Sequence, residues 1–222
     1  SRSTPHSALR TPHSPLSTLW MGLGQVRDLR RLAVREIITQ RRQRPFDSLR
    51  DLLLRVDLQA KEVTHLIQCG ALEGLGASRA DMLAELQGIR RAGSAQQASF
   101  DFAMDPVAPE SASQRLDWET HLLGWPVSVT PLEALAASPV GTQALADLPR
   151  MPGRPVAVAG YRLPGWTGGR GFFLSDGSTF VVVVGAKSMP NPKAWQPLVV
   201  HGRWRIDEWG SSELAATSWT AL

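Results

Sequence analysis

Apolar residues recur at helical spacing through residues 19–91. One side of a first helix carries Leu29, Leu32, Ala33 and Ile37, as expected when one face packs against a core. Another side carries Arg31, Arg35 and Arg42, with Ile38 among them. Pro45 ends that helix because proline cannot continue one, and Gly70 closes a later helix. The pattern therefore predicts a compact module of four short helices.

The last third of the chain alternates with the two-residue period of β-strands. Asp176-Gly177 stands between two apolar runs and marks a tight hairpin. Five short strands within residues 153–222 predict a small barrel, so the expected fold class is α+β. In one strand the predicted inward-facing residues are Leu198, Val200, Trp204 and Ile206, and the predicted outward-facing residues are Val199, His201, Arg203 and Arg205.

Three segments without a clear period surround these two modules. Residues 1–18 are rich in Ser, Thr, Pro and His and are expected to be a disordered lead-in. Residues 92–115 have the composition of a linker, and residues 116–152 are expected to form short connecting helices near 116–124 and 130–148.

The positive charge of the chain is concentrated near its start. The net charge is +4 over 222 residues, but residues 1–60 hold 11 Arg against 5 acidic residues. Residues 61–110 hold 4 basic residues against 7 acidic ones. A basic first segment indicates a polyanionic partner. Codon usage that favours arginine would give the same excess, and composition leaves both explanations open.

Several function classes are excluded by what the sequence lacks. No uncharged apolar stretch reaches the ~18 residues that a membrane-spanning helix needs, and the first residues lack the apolar core of a signal peptide. Cys69 is the single cysteine, which excludes an internal disulfide and fits a reducing cytoplasm as the expected location. No metal, cofactor or catalytic residue is expected, because His65, His121 and His201 lack ligand spacing and the carboxylates form no acid–base pair.

Six stretches resemble one protein family. They are residues 22–27, 44–52, 66–72, 75–79, 123–127 and 172–176, which read GLGQVR, RPFDSLRDL, LIQCGAL, LGASR, LGWPV and FFLSD. In order and content they resemble the C-terminal part of bacterial DNA polymerase III alpha subunits and their error-prone paralogues. The resemblance implies a tandem helix-hairpin-helix module followed by an OB-fold barrel.

The same resemblance implies where DNA is bound. Duplex DNA is expected at the helical module and single-stranded DNA at the barrel, where aromatic rings stack on bases and arginines neutralise phosphates. For each barrel tryptophan, Trp166 included, packing inside the barrel is the preferred interpretation over a contact with single-stranded DNA. The expected DNA contacts are Gly24, Arg27, Arg30, Arg31, Arg35, Gly74, Gly76, Arg79, Arg170, Phe172, Arg203 and Arg205.

The first hairpin departs from the family. The family has Gly-apolar-Gly there, whereas this chain has Asp28-Leu29-Arg30. Glycine lets backbone N–H groups approach a phosphate, and a carboxylate in the turn repels one. Phosphate binding by this backbone is therefore in question, and restoring both glycines is expected to strengthen it.

The linker carries a candidate peptide for binding a sliding clamp. Gln97, Phe100 and Phe102 resemble the short family motif that starts with Gln and ends with bulky apolar residues. The alternative is that both phenylalanines pin the linker to the chain's own core.

Two functions remain. The first is a nucleic-acid-binding accessory region of a family-C DNA polymerase, replicative or error-prone, without catalytic activity of its own because the metal-binding carboxylates of nucleotidyl transfer are missing. The second is a protein-interaction module that docks on a sliding clamp or a polymerase catalytic subunit and has little DNA affinity. The chain begins with Ser1, which favours a fragment or a processed chain.

Overall fold

The computed structural model describes residues 21–91, 108–135, 139–169, 171–186, 189–206 and 210–222. Helices fill the first part of this range and strands the last part. The predicted lead-in and most of the predicted linker lie outside the described residues.

Five α-helices precede the strands in the described part of the chain. The four predicted from the sequence are confirmed, and Ser48 and Ser78 cap two of them through their hydroxyl groups. The helices are α1 (Arg31–Gln43), α2 (Leu49–Arg55), α3 (Ala60–Gln68), α4 (Arg79–Arg91) and α5 (Ala112–Leu123).

Helix α5 packs against the core of the helical module. Leu122 on α5 joins the cluster that contains Leu52 of α2 and Leu66 of α3. The backbone N–H of Arg27 donates to the carbonyl of Leu122 at 2.9 Å. Helix α5 begins at Ala112, inside the segment predicted to be linker, so the helical module extends beyond residue 91.

The five strands close into a barrel. The order around the barrel is β1-β2-β3-β5-β4, and β1 also pairs with β4. All pairs are antiparallel except β3 with β5. A closed five-stranded barrel of this kind is the OB-fold arrangement that the sequence predicts. The strands are β1 (Pro155–Leu163), β2 (Phe172–Ser175), β3 (Phe180–Val184), β4 (Pro197–Ile206) and β5 (Ser212–Ala221).

Strand β1 closes the barrel by pairing with two neighbours. Its residues 155–161 pair with β4, and its residues 161–163 pair with β2. Gly160 lies next to this switch, where a Cβ atom would come 2.7 Å from the Ser175 carbonyl oxygen. A residue without a side chain is therefore required where β1 passes from one neighbour to the other.

A short 3₁₀ helix fills part of the barrel interior. This plug helix, Leu145–Arg150, buries Leu145 and Leu148 against the inward-facing residues of the strands. It replaces the predicted helix over 130–148, which is wrong: the described residues there form a turn at 131–134 and then the plug helix. The strand alternation in β4 is confirmed except at Ile206, which is 63% exposed at the end of the strand.

Candidate nucleic-acid interface

The first hairpin holds an aspartate in a backbone conformation that favours glycine. Asp28 has φ of 60°, in the left-handed region. Its carboxylate lies 2.8 Å from Nζ of Lys61, and this contact lowers the pKa of Asp28. Gly24 and Arg27 are exposed beside this turn. The family resemblance therefore places the turn of the first hairpin correctly, at a position where glycine is favoured.

The start of α1 already binds a carboxylate group of the protein itself. The Glu62 carboxylate accepts hydrogen bonds from the backbone N–H of Arg30 at 3.0 Å and from its Nε at 2.8 Å. It also accepts the backbone N–H of Gln59 at 2.8 Å, which caps α3. The Glu62 side chain is 1% exposed, and the bond from Arg30 lowers its pKa to about 2.

This carboxylate takes the place that a phosphate oxygen would need. The Arg30 guanidinium also donates to the Asp57 carbonyl at 3.0 Å, so Glu62 and Asp57 together hold the side chain in place. The Arg30 side chain is thus engaged within the protein although it is 39% exposed, and its contact with DNA stays a prediction. Replacing Arg30 with glycine would leave the buried Glu62 carboxylate without its main partner. This substitution is therefore expected to destabilise the hairpin and not to strengthen DNA binding.

The second hairpin is open but carries negative charge. Gly76 has φ of 81°, and a Cβ atom at Gly74 or Gly76 would meet nothing within 4 Å. Ser78 Oγ accepts the backbone N–H of Asp81 at 3.1 Å and donates to the Asp81 carboxylate at 2.6 Å. The first turn of α4 is thus capped, and a carboxylate stands where a phosphate would approach.

Arg79 is a buried structural residue. Its side chain is 4% exposed and donates to the Glu119 carboxylate, the Gln68 carbonyl and the Glu73 carboxylate. Its guanidinium has no surface to offer a phosphate. The expectation that Arg79 contacts DNA is wrong, because the sequence shows an arginine after a glycine turn but does not show its distant partner Glu119.

Helix α1 presents arginines on one exposed stripe, defined as Arg31, Arg35 and Arg42. All three side chains are exposed, and within the described part of the chain none of them forms an ion pair. Ala33 and Ile37 lie on the opposite face and are buried. The sequence therefore predicted the stripe and the buried positions Ala33 and Ile37 correctly, whereas Leu32, expected on the buried face, is 69% exposed.

The arginines at the junction of α1 and α2 are engaged within the protein. Arg55 donates to the Arg44 carbonyl at 2.9 Å and stacks over the Phe46 ring at 4.5 Å. Asp51 pairs with both Arg44 and Arg55, at 2.7 Å and 2.9 Å. These cations join the end of α1 to α2 and contribute less to the surface potential than the stripe does.

Three aromatic side chains form the aromatic face of the barrel, defined as Trp166, Phe173 and Phe180. Phe173 on β2 and Phe180 on β3 meet edge to face, with ring centroids 5.9 Å apart. Phe180 is 60% exposed, and Trp166 in the β1–β2 loop is 82% exposed. The loop lies against Phe173, since a Cβ at Gly165 would come 3.4 Å from that ring.

Phe172 points the other way. It is 1% exposed and belongs to the barrel core with Leu174 and Val183. The expectation that Phe172 stacks on a base is wrong, because adjacent strand residues face opposite sides and Phe173 takes the outer one. The packing role preferred for Trp166 is also wrong, since its ring is almost fully exposed.

Arg203 and Arg205 lie on the outer side of β4, as predicted. Arg203 donates to the Gly153 carbonyl at 2.7 Å, and Arg205 pairs with Glu213 at 2.7 Å. Both line a shallow groove with Val184 and Thr217. Strand β5 separates β4 from β3, so these arginines stand about 10 Å or more from the aromatic face.

Four predicted contacts lie outside the described residues. They are Arg170 in the β1–β2 loop and the clamp-binding candidates Gln97, Phe100 and Phe102. Within the described ranges, no group of three or more His, Cys, Asp or Glu side chains is placed to hold a metal ion. None of the helices described is long and apolar enough to span a membrane.

Comparison with known proteins supports the helical part of this description. A family model for the helix-hairpin-helix motif matches residues 3–82. The helical module contains a helix-hairpin-helix motif. No curated protein matches the chain.

Solved structures resemble a part of the chain at low identity. Asparaginyl-tRNA synthetase from Pyrococcus horikoshii gives a TM-score of 0.33 at 17% identity, covering 38% of this chain and 23% of the synthetase. The OBody AM1L10 bound to hen egg-white lysozyme gives 0.32 at 21% identity, covering 39% of this chain and 98% of the OBody. The hypothetical protein ygiW from E. coli gives 0.32 at 10% identity, covering 36% of this chain and 89% of ygiW.

The helix-hairpin-helix motif and the five-stranded barrel together indicate nucleic-acid binding in general. Sequence reasoning did not assign Glu62 a role, although its place three residues after Gln59 is a capping-box signal. It also did not select Phe180, which lies three residues after Gly177 and is exposed on the barrel surface beside Phe173.

Proposed function

We propose that this chain is a nucleic-acid-binding accessory region of a family-C bacterial DNA polymerase, which holds single-stranded DNA on the aromatic face of its barrel. The observation that carries the proposal is the exposure of Trp166 and Phe180, at 82% and 60%, on a barrel surface where a base can stack. Large apolar side chains that are exposed together on one surface are typical of a binding site.

The position of these rings supports a single-stranded partner. The β2–β3 surface and the β1–β2 loop are the parts of an OB-fold that contact oligonucleotides. Trp166 belongs to that loop, and Phe173 and Phe180 belong to that surface. Stacking requires an unpaired base, so the aromatic face favours single strands over duplexes.

The polymerase assignment rests on the sequence resemblance and on the order of the two modules. The resemblance is strongest in residues 44–83, which overlap the range matched by the helix-hairpin-helix model. In this proposal the chain positions DNA for a catalytic core supplied by other residues or another chain. The chain by itself then gives no primer extension with Mg²⁺ or Mn²⁺.

Fluorescence anisotropy with a labelled oligo-dT strand tests DNA binding. Replacing one stacking ring costs about 1–3 kcal/mol, so Trp166→Ala and Phe180→Ala should each weaken binding by roughly 5- to 150-fold. Trp125→Ala is the matched control, because Trp125 is 48% exposed and precedes the barrel. Equal affinities for the wild type and all three variants would refute stacking at this face.

The polymerase role has its own assay. A purified family-C catalytic region that lacks this part should make longer primer-extension products when the wild-type chain is added. The Trp166→Ala chain should lengthen them less. If the product lengths do not change when the chain is added, the polymerase role is rejected, while the conclusion from the DNA-binding assay still holds.

A second candidate function is a protein-interaction module with weak DNA affinity. The carboxylates at both hairpins favour this function. Glu62 accepts the backbone N–H of Arg30 at the start of α1, and the Asp81 carboxylate lies at the start of α4. Docking on a sliding clamp through Gln97, Phe100 and Phe102 remains a prediction from the sequence. Surface plasmon resonance with immobilised clamp tests it: replacing both phenylalanines with alanine should abolish binding, while Trp166→Ala should leave it unchanged.

A further inference from the structure

We propose that the chain grips the backbone of duplex DNA through the arginine stripe of α1 and not through the backbone amides of its first hairpin. This inference extends the proposed function from the single strand on the barrel to a duplex on the helical module. Two independent observations carry it: the internal carboxylate at the start of α1 and the unpaired guanidinium groups along the same helix.

The backbone N–H group of Arg30 in the first hairpin already donates a hydrogen bond within the protein. A phosphate held by this hairpin needs the N–H of Arg30, and that N–H donates to Glu62 at 3.0 Å. The Arg30 side chain encloses the same carboxylate with bonds of 2.8 Å and 2.9 Å. A phosphate entering here would have to displace a carboxylate that is 1% exposed, or lie beside its negative charge.

The stripe has the geometry of a linear polyanion. Arg31, Arg35 and Arg42 lie within about 40° of one another around the helix axis, because four and eleven residues are close to whole numbers of turns. They span about 16 Å along the axis. Each strand of duplex DNA carries a phosphate every 3.4 Å of rise, so this length matches roughly five phosphates.

The stripe is also free to bind. The three side chains are exposed and form no ion pair within the described residues, unlike Arg30, Arg44, Arg55 and Arg79. One face of α1 is buried through Ala33 and Ile37, and Leu32 is 69% exposed beside it. A single exposed leucine is much less than the wide apolar face with which an amphipathic helix enters a lipid layer. These features favour a phosphate backbone over a membrane.

Binding of a blunt 20-base-pair duplex over a series of salt concentrations tests the stripe. Each phosphate contact contributes about −0.9 to the slope of log K against log salt. The variant with Arg31→Gln, Arg35→Gln and Arg42→Gln should therefore have a slope shallower by about 2.7, and should bind roughly tenfold more weakly per lost arginine near 50 mM salt. Arg150→Gln is the charge control, since Arg150 is 82% exposed on the plug helix.

Asp28→Gly separates the stripe from the hairpin. Asp28→Gly and Asp28→Asn both release Lys61 from its pair with Asp28, and both leave Glu62 on the Arg30 amide, but only the glycine removes the side chain from the left-handed turn. The two variants should therefore have equal slopes. A slope steeper by about 0.9 in Asp28→Gly than in Asp28→Asn would mean that the hairpin amides bind phosphate, which overturns the inference. An unchanged slope in the triple variant, or an equal loss in Arg150→Gln, would overturn it as well.

Two further results distinguish this inference from the proposed function. If oligo-dT binding depends on Trp166 while the triple variant binds duplex normally, the stripe assignment fails and the barrel assignment stands. If the stripe binds polyglutamate and not duplex DNA at the same ionic strength, its partner is an acidic protein and the inference is wrong. Thermal melting of each variant confirms that these exposed substitutions leave the fold intact.

Discussion

Arg79 and Glu119 form a buried ion pair that joins α4 to α5, with Nη2 of the arginine 3.2 Å from Oε1 of the glutamate. Glu119 is fully buried and also accepts the backbone N–H groups of Val127 and Ser128, at 2.6 Å and 2.8 Å. Burial raises the pKa of Glu119, but the bonds from Ser128, Val127 and Arg79 outweigh it and leave the pKa below its usual value. This pair explains why α5 is part of the helical module.

Arg79→Ala should lower the free energy of unfolding by about 3–5 kcal/mol, because it strands the buried Glu119 charge. Urea denaturation followed by circular dichroism measures this loss. Arg150→Ala, at an exposed surface pair, is the control and should change stability by less than about 1 kcal/mol. A stable Arg79→Ala chain with weakened DNA binding would instead identify Arg79 as a DNA contact.

A double variant tests whether the loss of stability comes from leaving the Glu119 carboxylate buried without its cationic partner. Arg79→Met combined with Glu119→Gln removes both charges and should be less destabilised than the sum of the two single variants. Additive losses would mean that the two side chains do not interact.

The Glu62–Arg30 contact predicts a loss of stability in acid. The pKa of Glu62 is lowered from 4.5 to about 2, mainly by the hydrogen bond from Arg30. The depressed pKa makes the stabilisation complete above pH 4.5, and it fades as the pH falls towards 2. The contribution is about 3 kcal/mol at most.

Unfolding measured from pH 6 to pH 2 tests this contact against Glu62→Gln. The variant should be less stable than the wild type at pH 6, and the difference should shrink towards pH 2 because the wild-type carboxyl becomes protonated there. A difference that stays constant over this range would assign the acid sensitivity to other carboxylates.

Phe172 and Phe173 should separate stability from binding. Phe172→Ala removes a core ring and should cost about 3–5 kcal/mol of unfolding free energy. Phe173→Ala removes an outer-face ring, so it should cost less stability and weaken oligo-dT binding. Thermal melting and anisotropy on both variants measure the two effects, and the opposite assignment would reverse the orientation of β2.

Gly160→Ala should destabilise the barrel by roughly 1–3 kcal/mol, because the new Cβ would lie 2.7 Å from the Ser175 carbonyl oxygen and 2.8 Å from the Leu174 side chain. Gly168→Ala is the contrasting variant, with φ of 82° but open space around the Cβ. It should cost about 1 kcal/mol from backbone strain alone. Equal losses would mean that packing at the β1 switch adds nothing.

The sequence by itself determined the first four helices, the five strands and the arginine stripe. Local signals decide these features: Pro45 and Gly70 end helices, Asp176-Gly177 turns a hairpin, and the period of apolar residues selects the buried face. The glycine position in the first hairpin was also readable, since Asp28 does adopt a left-handed backbone.

Only the tertiary structure decided which charged and aromatic side chains are available to a partner. Arg30 and Arg79 look like surface cations in the sequence, yet their carboxylate partners are 32 and 40 residues away. Phe172 and Phe173 are adjacent, and barrel closure decides which of them faces the core. Local periodicity carries no information about contacts between residues so far apart, because those contacts form only when separate elements pack together.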